Sequence, residues 1–527
     1  MYGIDLGTSN SCVATLKNQQ TLMVKNALNQ VITPSIIAYT QKGMLFGQEA
    51  KNQLMINPGN TIYSTKRLIG RRFEDFEVQN QIKEATYSII NQGNNPVIKT
   101  SLSPFLTPTT VASEFLQHLT KDLPSKDVVI TVPAYFNNSQ KEQTAKAAEL
   151  ANLKVIRLLA EPTAAALAYN AKNSSKKDEI LLIVDLGAGT FDVSILEKSG
   201  DIYSVIASSG NNFFGGDDYT SKIFSDFTKN KILSPEQKAD FFQISELCKH
   251  QLSSQNSFSH PLASMTRTHY ESLIAGLDDQ LKQPLLQAIS DANINSSKIS
   301  KILLVGGQTR QPSVQKYVEK LLGKRPLSIL DPDLCVAQGA AIQGGIIAKT
   351  INSVLLVDVA PLSLGIETLG GSFAPIIPRN APIPVRQTQV FTTTQNDQEE
   401  VVINVYQGER QLASQNHLLG SFALKNIKKG LKGSARVEVC FEVDKNGLVK
   451  VSAKDLETGS NQNIEITGGI SGEIKEVSQE EKQRDREILD RETLKREIKE
   501  LGGEFDDSES IVKLRQIVEK LKRRSKK

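Results

Sequence analysis

At 527 residues the chain exceeds what one hydrophobic core fills, so at least two domains are expected. Its 62 Lys and Arg against 58 Asp and Glu leave a formal charge of +4, which provides no footprint for nucleic acid or an acidic membrane surface. The opening MYGIDLGTSNSCVA enters a strand without the basic head, apolar core and cleavage site of a secretory signal, and no apolar run reaches the ~18 residues of a membrane span. A soluble, cytoplasmic protein is expected. Cys12, Cys248, Cys335 and Cys440 form no C-x-x-C pair, so neither a zinc site nor a cluster-ligand set is expected, and a reducing compartment suits them.

In chain order, the first 350 residues alternate strands and helices. KDVVITVPAYF reads as a buried strand stopped by Pro133, and NNSQKEQTAKAAELANLK as a helix capped by Asn138 or Ser139. KVIRLLAEPTAAALAY repeats the pattern, with Pro162 where the first helical position tolerates it. This is α/β architecture. After about residue 352, SARVEVCFEVDKNGLVKVSAKD alternates Val437, Val439, Phe441 and Val443 with polar residues and turns back at Asn446-Gly447, the pattern of a β domain. From about residue 474 two charged helices follow, their charge read as a solvated face.

DLGT at residues 5–8 recurs within DLGAGTFD at 185–192. A strand ending in Asp-Leu-Gly and turning into a second strand aims backbone N–H groups into the turn, where they can hold phosphate oxygens. Gly7, Gly187 and Gly189 allow close approach, while Asp5, Asp185 and Asp192 supply carboxylates that a hydrated Mg2+ prefers. One such turn is more often a structural hairpin. Two copies and a third strand–glycine–helix element, KILLVGGQTRQPSVQKYVEKLL, point to a clamp around one polyphosphate.

The segments GIDLGTSNS, VITVPAYFNNSQ, LLAEPTAAALAY, IVDLGAGTFDVSIL, FFGGDDY, LLVGGQTRQPSV and VDVAPLSLGIETLGG resemble the successive signatures of the seventy-kilodalton heat-shock chaperones, up to about residue 470. The resemblance implies an actin-like, two-lobed α/β ATPase domain at 1–352, a linker at 353–360, a β-sandwich peptide-binding domain at 361–472 and a shortened helical lid at 473–527. It implies ATP or ADP, Mg2+ and a potassium ion as cofactors. Thr8, Ser9 and Asn10 match the first phosphate loop, and Gly187, Ala188, Gly189 and Thr190 the second, with Gly215 and Gly216 beside it. Lys51 matches the lysine that positions the attacking water; Glu161, Asp192, Thr190 and Asp5 complete the catalytic set. Glu246, Lys249, His250 and Ser253 match one side of the adenosine site, and Gly306, Gly307, Arg310 and Asp333 the other. Pro133, Lys141 and Asp358 match residues that couple the domains through the linker VLLVDV, which periodicity alone reads as a buried strand. Ile366, Leu369, Phe391, Val401 and Ile403 match a groove for an extended apolar peptide.

Departures from the family pattern carry their own expectations. Ala188 replaces a glycine, costing on the order of 1 kcal/mol if that position needs positive φ. Gln308 replaces a serine, while His250 and Lys141 replace arginines. The short interval between LSSQNSFSHPLAS and TRTHYESL trims the lobe that faces an exchange factor and argues against dependence on one. NTIYSTKRLIGR, NNPVIKTSLSPFLTPTTVASEFL, LCVAQGAAIQGGII and GERQLASQNHLLGSFALKNI are closer to HscA, the branch serving iron–sulfur cluster assembly, than to the general folding branch. That implies a monomer working with a J-domain cochaperone and a cluster-scaffold client. The alternatives are a general folding chaperone, an actin-fold small-molecule kinase and a filament-forming actin relative; the β domain and linker argue against the last two.

Overall fold

The computed structural model describes residues 1–465 except 104, 174–176, 328–329 and 352–353, and beyond 465 only 494–495, 498, 510–511 and 513–518. The chain divides into two compact units. The first is Met1–Pro361 with Asn380–Val385 and Val443–Leu448; the second is Leu362–Arg379, Arg386–Glu442 and Val449–Lys527.

Two sheets built to one plan form the first unit. In one, Tyr2–Leu6 pairs antiparallel with Asn10–Lys17, which pairs with Gln20–Val24, while Asp127–Val132 and Lys154–Ala160 extend the other side in parallel. In the other, Glu179–Leu186 pairs antiparallel with Phe191–Ser199, which pairs with Ile202–Asn211, and Lys301–Val305 lies parallel on the far side. We call each sheet with its helices a lobe. Runs of β-branched and Leu residues, as in DVVITV, are buried on both faces because helices cover them.

The duplication seen in the sequence is thus a duplicated hairpin. Asp5 stands opposite Cys12 and Asp185 opposite Asp192, and in each copy four residues link the last paired positions, Leu6 with Ser11 and Leu186 with Phe191. The strand Leu355–Val359 adds parallel to Ile202–Ser204, and Pro382–Ile383 then pairs with Asp358 and Val359. The linker is therefore a sheet strand, as its periodicity indicated.

Small residues set the closest helix contacts. In Cys335–Ile347, a Cβ on Gly339 would fall 1.8 Å from the Ala164 carbonyl oxygen of the Glu161–Lys172 helix, and one on Gly3 would fall 2.2 Å from the Ala341 nitrogen. Pro162 sits in the first turn of its helix, as expected. The cap of Asn138–Leu150 is a correction: Asn137 accepts from the Gln140 backbone N–H and the Gln140 side chain answers in a capping box, leaving Asn138 and Ser139 as buried first-turn residues.

The second unit carries two four-stranded sheets. One runs Ser372–Ile377, Leu364–Thr368, Glu400–Gln407, His417–Lys425; the other Val385–Phe391, Val437–Val443, Val449–Asp455, Asn461–Glu465. Val437, Val439, Phe441 and Val443 are all buried, as their alternation requires, and the turn from Val443 to Leu448, counted with the first unit, places Gly447 at φ +76°. Most of the segment read as a lid, 473–527, lies outside the described residues; within it Ile498, Leu514 and Val518 are buried together. Among the described residues no helix is long and apolar enough to cross a membrane.

Candidate nucleotide site

The two hairpin loops of the first unit face each other across a cavity of about 430 Å3, within the range of small-molecule sites. Gly7, Thr8, Ser9 and Asn10 line it from one lobe, and Gly187, Ala188, Thr190 and Gly216 from the other. The loops touch where a Cβ on Gly189 would come within 2.8 Å of the Thr8 hydroxyl, so this glycine is set by the contact between the two copies. Gly7 is set by its own turn, since a Cβ there would lie 2.0 Å from the Asn10 carbonyl oxygen. Gly216 N–H donates to the Gly187 carbonyl and Asp217 N–H to that of Ala188, tying the second loop to the helix Gly216–Phe227, whose N-cap is Gly215.

At the base of the cavity carboxylates crowd around one lysine. Asp5, Glu161 and Asp185 line the floor and Asp192 is buried opposite Asp185. Lys66 Nζ lies 2.7 Å from Glu161 Oε1. Burial first, then repulsion from Glu161, lifts Asp5 to about 7 and Asp192 to about 8; burial with Glu161 and Asp192 raises Asp185 as well. Oδ2 of Asp185 and Oδ2 of Asp192 are buried without a hydrogen-bond partner. This excess of negative charge with orphaned oxygens fits a cation. Among the described residues no three such side chains converge closely enough to ligate one ion directly, so a cation here would keep its water shell, as Mg2+ does.

Glu246, Lys249, His250 and Ser253 follow at helical spacing along and just past Pro235–Leu252, and all four line one wall. Gly306, Gly307, Arg310 and Asp333 line the opposite wall, where Arg310 Nη2 sits 2.6 Å from Asp333 Oδ2. Gly306 has φ +79°, and a Cβ there would lie 2.4 Å from the Leu186 carbonyl oxygen.

The Hsp70 protein family model matches residues 1–523. The chain belongs to the Hsp70 family. A chaperone protein dnaK from Guillardia theta is 40% identical over 557 aligned residues, covering 96% of this chain and 88% of its own length. Another from Cyanidioschyzon merolae is 40% identical over 508, covering 90% and 83%. This Hsp70 is accordingly an ATPase of the chaperone class.

The geometry bears on two sequence expectations for this Hsp70. Lys51, expected beside the reacting phosphate, ends the short helix Gly47–Lys51 and pairs with Glu246 Oε2 at 2.8 Å, lining a smaller neighbouring cavity with Thr8, Ser9 and Asn10 of the first loop and with Leu54, Tyr63 and Phe242. Burial would raise Glu246, yet Lys51 brings it below the ordinary carboxylate value. The lysine among the floor carboxylates is Lys66, which sequence reasoning missed. No local pattern in the sequence set it apart, because the left-handed turn at Ser64 is what directs it inward. Ala188 is likewise relieved of its expected cost, because it is absent from the positive-φ residues.

Pro133, Lys141 and Asp358 line one small cavity of the first unit together with Val359, Ile383 and Asn446. Burial raises the Asp358 carboxyl and lowers the Lys141 ammonium, while each favours the other's charged form. In the second unit, Ile366 and Ile403 are buried, Val401 lies on the same strand face as Ile403, Phe391 is half-buried and Leu369 is 55% exposed.

Proposed function

We propose that the cavity binds MgATP between its two hairpin loops and hydrolyses it, and that the Leu355–Val359 strand transmits the nucleotide state to a peptide-binding second unit. The observation that carries this reading is the Lys66–Glu161 pair on a carboxylate floor between two loops of the same design. The N–H groups of Thr8–Asn10 and Ala188–Thr190 hold phosphate oxygens, those of Gly7 and Gly187 being taken up inside their own turns by Ser11 Oγ and the Thr190 carbonyl, and the wall of Glu246, Lys249, His250 and Ser253 faces the Gly306-Gly307-Arg310 wall across the nucleoside. Asp5, Asp185 and Asp192 hold hydrated Mg2+, which neutralises charge on the phosphates when bound. Glu161 and Thr190 orient the attacking water, and Lys66, held by Glu161, stabilises the charge that develops as the terminal phosphoryl group leaves.

In the second unit, Ile366, Leu369, Phe391, Val401 and Ile403 offer apolar contacts to an extended client. A J-domain cochaperone and a client with an exposed apolar segment are the partners this reading requires. The finer proposal, service to an iron–sulfur cluster scaffold, is supported by the four segments closer to that branch; both relatives named above carry the general chaperone name. Recovery of a cluster scaffold with the intact protein would separate the two.

Asp358 tests the linker. Asp358→Ala is expected to keep basal hydrolysis within about twofold while abolishing its stimulation by an apolar peptide, because the strand would still pair yet lose the carboxylate that faces Lys141. Equal stimulation of variant and parent would remove Asp358 from the coupling.

A further inference from the structure

Arg67 follows Lys66 directly, and nothing in the phosphate loops or the carboxylate floor calls for it. Yet Arg67 is 2% exposed, which is costly for a charged side chain unless it is engaged. The short turn Thr65–Arg67 is launched by Ser64 at φ +53°, a left-handed conformation for a non-glycine residue. This turn sends its two basic side chains to opposite lobes. Lys66 stays in the first lobe's floor on Glu161, while Arg67 crosses to the second: Nη2 lies 2.7 Å from Asp218 Oδ2 and 3.4 Å from the Ala188 carbonyl oxygen. Nε is buried 3.8 Å from Asp217 without a hydrogen bond, and the guanidinium lies over the Phe213 ring at 4.6 Å.

The groups it grips are the ones that shape the second phosphate loop. Asp218 Oδ2 also accepts from Gly215 N–H, closing the N-terminus of Gly216–Phe227, and that terminus donates back to Gly187 and Ala188. Ser64 donates to Asp217 from the other end of the turn, and Arg71 reaches the Asn212 carbonyl oxygen at 3.4 Å.

We infer that Arg67 is a positioning residue that ties the second phosphate loop to the Lys66 turn, so that closure of the two lobes on a nucleotide also sets Lys66 in place for hydrolysis. The inference rests on the proposed role of Lys66. An arginine suits the place because Nη2 reaches the Asp218 carboxylate and the Ala188 carbonyl while Nε faces Asp217 and the planar face covers the Phe213 ring; a lysine keeps the charge but loses the second nitrogen and the face.

The test uses the full chain, with N-methylanthraniloyl-ADP as release probe and single-turnover hydrolysis at saturating MgATP. Arg67→Lys is expected to speed release of the probe by about tenfold or more and to slow hydrolysis by at least about tenfold, a loss that saturation does not repair. In a Lys66→Ala background it should still speed release but slow hydrolysis no further, because its effect on chemistry passes through Lys66. Asp218→Asn should reproduce the faster release and add nothing when combined with Arg67→Lys. Release and hydrolysis within about twofold of the parent would overturn the inference, as would slowing that multiplies on top of Lys66→Ala. Should Arg67→Lys not fold, Asp218→Asn decides alone: unchanged probe release rejects the tether. A Lys66→Ala protein that hydrolyses normally rejects the role of Lys66 instead, whatever the probe does.

Discussion

Replacing Lys66 with alanine is expected to lower single-turnover ATP hydrolysis by about a hundredfold or more, or ~2.7 kcal/mol in barrier, with MgATP still bound. The side chain is the only cation in hydrogen-bonding contact with the floor carboxylates among the described residues, and its removal leaves Glu161 without a partner beside Asp5, Asp185 and Asp192. Both phosphate loops and both nucleoside walls survive the change. Lys51→Ala should slow hydrolysis by less than about tenfold, because its partner Glu246 belongs to a nucleoside wall and the pair is partly exposed, with side-chain exposures of 32% and 25%. Rapid-quench measurement on both variants distinguishes the two lysines; equal and severe losses, or a severe loss for Lys51 alone, would return the chemistry to Lys51.

The second large effect concerns stability. Gly339→Ala is expected to destabilise the first unit by more than ~3 kcal/mol, because the methyl would enter the Ala164 carbonyl oxygen, a backbone atom that moves only with its helix. Gly276, inside Arg267–Asp278, has nothing within 4 Å of its Cβ direction, so Gly276→Ala should be neutral or stabilising by up to ~1 kcal/mol. Urea unfolding followed by circular dichroism compares them. A Gly339→Ala midpoint equal to that of the parent would show that the two helices are less tightly seated than their geometry requires.

Much of the architecture was legible because it is written in local chemistry. Asp-Leu-Gly followed by a short loop and a second strand can hardly be anything but a hairpin, and its recurrence announced two lobes. The register then explains why the copies are not equivalent in charge: Asp192 faces Asp185, whereas the matching position opposite Asp5 is Cys12. The linker was read both as a strand and as a coupling segment, and Leu355–Val359 shows that pairing into a sheet edge is compatible with either. Lys66 and Lys51 could not be told apart in this way. Each is a lysine in a mixed stretch, and only the left-handed turn at Ser64 directs one inward, a backbone choice that serine does not advertise. Three consecutive residues, Asn137 to Ser139, could each cap a helix; Gln140 decided for Asn137 by closing the box. The conformation of Ala188 was equally hidden, since its carbonyl is held by the Asp217 N–H of a helix that begins 28 residues further along the chain.

The most direct test of a nucleotide clamp that governs peptide binding is stopped-flow release of a fluorescent apolar peptide from the intact protein on mixing with MgATP or MgADP. MgATP should accelerate release by about tenfold or more over MgADP, and should do so equally in Lys66→Ala, because occupancy of the two loops rather than hydrolysis acts on the linker strand. Identical release with the two nucleotides would contradict the coupling, and acceleration that disappears in Lys66→Ala would place the signal in hydrolysis instead.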